Sequence, residues 1–159
     1  MFSTPHIYRT GLLCGGALAL AALAGCAGFA DRVGMGDSSN MVALKTVLRG
    51  ANEVPAVTGN GSGSVDAAFD KKSNLLRWKV SYMGLSGPAT GAHFHGPAAV
   101  GANAPVALGW TAPIQSPLEG SATLTAAQAA DLLAGRWYAN IHTAANPGGE
   151  IRGQMTVQN

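Results

Sequence analysis

Leu76-Arg77-Trp78-Lys79-Val80-Ser81-Tyr82 decides the fold class of this 159-residue chain. Large apolar residues recur at every second position, with basic or polar residues between them. That period belongs to a β-strand with one buried face. The same alternation extends outward in both directions. Upstream, Val42, Leu44, Thr46 and Leu48 share a face, as do Val65, Ala67 and Phe69 after a Gly-rich turn at 58–63. Downstream, residues 105–110 and 119–124 are further short candidates. Trp137, Ala139 and Ile141 then alternate with Tyr138, Asn140 and His142, and 151–157 closes the chain. Turns must be frequent, because the chain holds 22 glycines and 8 prolines. The expectation is an all-β fold: an antiparallel immunoglobulin-like or Greek-key β-sandwich, or a barrel. One segment departs from it. Thr125 and Gln128 form a capping box, predicting a short helix over 126–134 that stops at Gly135.

The chain is 47% hydrophobic, only 11% charged, and carries a net charge of +2. Charge this sparse excludes a nucleic-acid partner held by phosphate neutralisation. Part of the hydrophobicity is a leader. Arg9 precedes an apolar run from Gly11 to Leu23 without acidic residues. This is the pattern of a secretory signal, shorter than the roughly 20 residues that span a bilayer. The run ends in Leu23-Ala24-Gly25-Cys26, which resembles the bacterial lipobox. The resemblance implies a lipoprotein signal peptide at 1–25, cleavage before Cys26 and a lipid on its sulfur. The membrane partner is then the lipid anchor, in a bacterial cell envelope. Ala27 stands where an aspartate commonly retains lipoproteins in the inner membrane, so the outer membrane, on its periplasmic or surface face, is the expected location. Residues 26–41 read as the lipidated cysteine and a flexible tether, and 42–159 as one β domain. Loss of Cys14 with the leader and lipidation of Cys26 leave no free thiol. A thiol nucleophile, a Cys-ligated zinc and a cysteine-bound blue-copper site are thereby excluded.

Three histidines remain after the leader, in Gly91-Ala92-His93-Phe94-His95-Gly96-Pro97 and in the stretch from Asn140 to Gly153. His93 and His95 are two apart, so a strand points both to one face, with Ala92 and Phe94 toward the core. His142 lies on the polar face of its own run beside Tyr138 and Asn140. If the two strands are neighbours, three imidazoles meet. Imidazole suits copper, zinc, nickel and iron. Glu150 and Arg152, spaced i and i+2, either pair as an exposed ion pair or support the histidines by hydrogen bonds, the exposed pair being the first expectation. Asn140 is a candidate support of the same kind. Glu53, before Val54-Pro55, either caps a loop or reaches the histidines. Asn146-Pro147-Gly148-Gly149 reads as a turn with glycines at positive φ. Met83, Met155 and the tryptophans are assigned to the core.

Four ordered stretches of the domain resemble the CHRD family, a module named for its repeats in chordin. They are Leu48-Arg49-Gly50-Ala51-Asn52-Glu53-Val54-Pro55-Ala56-Val57, Gly84-Leu85-Ser86-Gly87-Pro88, the histidine stretch from Ala92 to Pro97, and the stretch from Ile141 to Gln154. Ala56 replaces the second proline of the usual Glu-Val-Pro-Pro. The resemblance implies an all-β immunoglobulin-like or barrel fold and assigns no activity. Gly91-Ala92-His93-Phe94-His95 is also similar to a strand of copper–zinc superoxide dismutases. Only one further histidine and no disulfide pair accompany it, so a bridged two-metal centre cannot be assembled as in that family.

The function that these residues favour is a lipid-anchored envelope module holding copper, with zinc as the alternative, through His93, His95 and His142. The competing reading is a non-catalytic structural module, or one that binds an envelope protein or glycan, with histidines that only order turns. A superoxide-dismutase-like enzyme ranks third.

Overall fold

The computed structural model describes residues 38–158. The expected lipoprotein leader, both cysteines and most of the expected tether lie outside the described residues. Ser38–Asn40 form a 3-10 turn that leads directly into the first strand.

Nine strands and one helix are present among the described residues: β1 (Met41–Arg49), β2 (Ser62–Asp70), β3 (Leu75–Met83), β4 (Ala89–His95), β5 (Val106–Gly109), β6 (Leu118–Thr123), α1 (Ala126–Leu133), β7 (Tyr138–Thr143), β8 (Ile151–Gln154) and β9 (Thr156–Val157). The strands form one sheet in the order β5-β4-β7-β8-β1-β2-β3-β6, with β9 also on β1. Every pairing is antiparallel. The all-β expectation therefore holds, with one continuous sheet curled around a common core.

Alternation decides what fills that core. Leu44 and Leu48 of β1, Val65, Ala67 and Phe69 of β2, and Leu76, Trp78 and Val80 of β3 are all buried. Three tryptophans and Phe94 form its centre. Phe94 meets Trp78 edge-on at 5.4 Å and Trp110 at 5.0 Å, and lies 5.8 Å from Trp137. Such pairs contribute about 0.5–1.5 kcal/mol each beyond their burial. They also fix β4, because Phe94 sits between His93 and His95. Trp78 lies across Gly120 of β6, where an added Cβ would stand 2.4 Å from the indole. Only glycine leaves that space.

The capping box forms as expected, with Thr125 and Gln128 exchanging side-chain and backbone hydrogen bonds. Gln128 Nε2 also donates to the Ala107 carbonyl of β5 at 3.0 Å, tying the helix to an edge strand. Ala129 and Leu132 are its buried residues. Gly135, at φ +69°, ends it. Two expectations need correction. The run 151–157 is two strands, β8 and β9, separated at Met155, whose N–H donates to the Trp137 carbonyl. Met155 is core, but Met83 at the end of β3 is 73% exposed.

Candidate metal centre

β4 and β7 are neighbours in the sheet, and this brings the histidines together. Gly91 pairs with His142, His93 with Asn140 and His95 with Tyr138. Ala92, Phe94, Ala139 and Ile141 fill the inner face. His93, His95, Tyr138, Asn140 and His142 therefore share the outer face. Ring centroids are 4.9 Å apart for His93 and His142, 5.5 Å for His93 and His95, and 6.2 Å for His95 and His142. One nitrogen from each ring lies within 4.8 Å of the other two. Bonds of about 2.0–2.1 Å place tetrahedral donors about 3.3 Å apart, so the three nitrogens must draw closer than they stand here to share one ion.

Two of the tautomers are fixed by carbonyls, which can only accept. His95 donates Nδ1–H to Ala104 O at 3.0 Å, and His142 donates Nδ1–H to Pro147 O at 2.9 Å. Each ring keeps a lone pair on Nε2. His142 Nε2 then accepts from His93 Nδ1 at 3.0 Å. His95 Nε2 is buried and has no partner. Burial, reinforced by His142 and His95, pushes the His93 pKa below its ordinary value. Burial also lowers that of His142, opposed by the Pro147 bond and aided by His95. Both shifts favour the neutral ring, the form that binds metal.

Of the outer-face residues, His95, Tyr138 and Asn140 are buried, while His93 and His142 are half-buried. Ala104 and Pro147, in the loops at 96–105 and 144–150, supply the carbonyls that bond His95 and His142. Tyr138 stacks on His95, with centroids 4.8 Å apart and planes 2° from parallel. Its hydroxyl accepts from Ala104 N at 3.2 Å. Arg152 donates to Asn103 Oδ1 at 2.9 Å and to Ala102 O at 2.6 Å. Asn103 Nδ2 in turn donates to Val54 O at 3.0 Å. Arg152 thus fastens the loop whose Ala104 carbonyl orients His95.

The exposed Glu150–Arg152 pair is not what forms. Both residues are buried, and their side chains serve different loops. Glu150 accepts from Ser86 N–H at 2.7 Å, Ser86 Oγ at 2.5 Å, Thr143 Oγ1 at 2.6 Å and Asn146 Nδ2 at 3.1 Å. Burial raises its pKa, but these bonds outweigh burial and leave it below the ordinary value. Glu150 supports His142 only indirectly, by anchoring the turn that carries Pro147. Glu53 follows the 3-10 turn at Gly50–Asn52 and caps it with its backbone N–H. No hydrogen bond links its buried side chain to a histidine among the described residues. Burial pushes its pKa up to about 7, against the opposing Arg152 charge, the Val54 N–H and Asn140. Glu53 Oε1 and Asn140 Oδ1 are both buried without partners. Gly149 packs against this carboxyl at φ +129°, a conformation that excludes side chains. Only this glycine of the Pro147-Gly148-Gly149 turn has positive φ.

A family model for the CHRD domain matches residues 44–155. The chain belongs to the CHRD domain family. No curated protein and no solved structure matches it. The four motif stretches of this CHRD domain converge in space. The first supplies Glu53, the second Ser86, the third His93 and His95, and the fourth His142, Glu150 and Arg152. Ser86, Asn103, Tyr138 and the carbonyls of Ala104 and Pro147 were not singled out as supports of the site from sequence. Of these, Ser86 and Pro147 lie in motif stretches, and nothing in the Ser86 stretch indicates a buried carboxylate 64 positions away.

Proposed function

We propose that this CHRD domain protein is a lipid-anchored module of the bacterial envelope that binds copper through His93, His95 and His142. The observation that carries the reading is His95 Nε2, a buried imidazole nitrogen without a partner, on a ring grouped with His93 and His142 so that one nitrogen of each lies within 4.8 Å of the others. An unpaired polar atom of this kind costs about 1–3 kcal/mol, a cost that a bound ion removes. A set of three neutral nitrogens without thiolate or carboxylate suits copper over magnesium, calcium or manganese. Zinc accepts the same donors and is the alternative. Leu23-Ala24-Gly25-Cys26 supports the lipid anchor, and Ala27 supports the outer membrane.

The test uses the full chain expressed with its leader and purified from membranes in detergent. Competition against chelators of known affinity should give one copper ion per chain. His93→Ala combined with His142→Ala should abolish it. Binding unchanged in that variant, or absent from the wild type, overturns the proposal. Mass spectrometry of Cys26 and release of Cys26→Ser from the membrane fraction test the anchor.

A further inference from the structure

Arg152 is 2% exposed, yet none of the ion pairs among the described residues involves it. Its guanidinium donates to two neutral acceptors, Asn103 Oδ1 and Ala102 O. Its Cζ stands 3.4 Å from the centroid of Tyr138. Tyr138 is in turn parallel to His95 at 4.8 Å. β7 lies between β4 and β8, so the phenol separates the imidazole from the guanidinium. The order is cation, phenol, imidazole. A cation–π contact explains how the ring tolerates the charge. It does not explain why a charge is buried there, because desolvating an ion costs several kcal/mol.

We infer that Arg152 sets the charge preference of the histidine centre, biasing it toward a monovalent over a divalent ion and so toward Cu(I) over Cu(II). This inference rests on the copper reading above. A fixed positive charge repels each further unit of positive charge on the histidines. The two stacking distances, 3.4 and 4.8 Å, put it at most about 8 Å from the imidazole centroid. For an ion within about 10 Å, an effective dielectric of about 20 gives a bias of at least about tenfold per unit charge. Cu(II) carries one unit more than Cu(I). Tenfold corresponds to about 59 mV in a one-electron potential. Glu53 is the nearby opposite charge, and its attraction to Arg152 is felt across the cluster. When ionised it offsets part of the bias.

The role differs from mere positioning, and the experiment separates the two. Cu(I) and Cu(II) affinities are measured by competition on the full-length detergent-solubilised chain, for wild type and four variants. Arg152→Met removes the charge and should lower the Cu(I)-to-Cu(II) affinity ratio about tenfold, with a matching drop in potential. Arg152→Lys retains the charge and Asn103→Ala only loosens the loop, so both should keep the ratio within about threefold of wild type. Glu53→Gln at pH 8.5 removes a compensating charge and should raise the ratio, which keeps the inference testable even if Arg152→Met fails to fold. An unchanged ratio in Arg152→Met, or an equal fall in Asn103→Ala, overturns the inference while leaving copper binding intact. So does an unchanged ratio in Glu53→Gln. A wild type that binds no copper overturns the proposed function and this inference with it.

Discussion

Glu53→Gln should make the protein more stable at pH 8 while leaving it nearly unchanged at pH 4.5. Glu53 is 6% exposed, and its Oε1 lies beside Asn140 and Gly149 without a donor. A proton on the carboxyl supplies one. The folded pKa of about 7, against 4.5 for the free group, expresses the same preference. Between these values the folded chain holds a proton that the unfolded chain has released. Stability therefore falls as pH rises from 4.5 to 7, and levels off above. A gap of about 2.5 units, at 1.36 kcal/mol per unit, makes this loss about 3 kcal/mol. Glutamine cannot ionise, and its carbonyl oxygen can still accept from Asn140 Nδ2.

The assay is urea unfolding of both proteins at pH values from 4.5 to 8.5, with chelator present. Trp78, Trp110 and Trp137 are all buried, so fluorescence reports global unfolding. The depressed pKa values of His93 and His142 give a slope of opposite sign below pH 6.5. That slope is common to both proteins and cancels in their difference. The difference should grow from near zero at pH 4.5 to about 3 kcal/mol in favour of the variant above pH 7, with unchanged urea dependence. A difference that stays flat within about 0.5 kcal/mol across the range would refute a buried protonated Glu53.

Three further outcomes follow from the same network. Glu150→Ala leaves the Ser86, Thr143 and Asn146 donors unpaired and should cost about 3 kcal/mol in urea unfolding at pH 7. In the wild type, the part of stability due to the lowered Glu150 pKa is complete above pH 4.5 and lost as pH falls through the folded value. Glu150→Gln should show a shallower acid limb. Gly149→Ala forces a Cβ against the Glu53 carboxyl at φ +129°, so it should cost at least about 1–3 kcal/mol and weaken copper binding by shifting Pro147. Copper at a hundred times its dissociation constant should add about 2.7 kcal/mol to wild-type stability in thermal unfolding, and nothing to the doubly substituted His93→Ala and His142→Ala chain.

The strands that face a single core were legible because each buries one side. Leu76, Trp78 and Val80 are core, and Arg77 and Lys79 are not, as period two demands. The helix was legible because a capping box is a local signal. The order of strands was not. β1 pairs with β2 across a turn, but β8 meets β1 about 100 residues later in the chain, and short-range patterns carry no such information. The three histidines were legible as a candidate group, and the structure does group them. Their meeting depended on β4 lying beside β7, which only the pairing decides. The break at Met155 was hidden because its buried side chain continues the apolar alternation of Ile151.

Glu150 and Arg152 show why a polar face can be buried. They were expected as an exposed pair, but each bonds instead to loop residues that carry no periodicity, Ser86 for Glu150 and Ala102 and Asn103 for Arg152. The chain has only 18 charged residues, 10 basic and 8 acidic. Three of them, Glu53, Glu150 and Arg152, are buried among the described residues, all around the β4–β7–β8 face. The ion pairs Lys45–Asp66, Lys79–Glu119 and Arg136–Asp131 include exposed side chains, and such pairs contribute about 0–1 kcal/mol each. Burying an ion costs several kcal/mol before compensation. A fold seeking stability alone gains more from apolar residues of similar volume at these three positions. What apolar replacements cannot do is hold two loops so that carbonyls meet His95 and His142, or place a fixed charge behind the imidazole stack. Two of the three buried charges, Arg152 and Glu150, fasten the loops whose carbonyls meet His95 and His142, and that distribution is the physical argument for the proposed centre on this face.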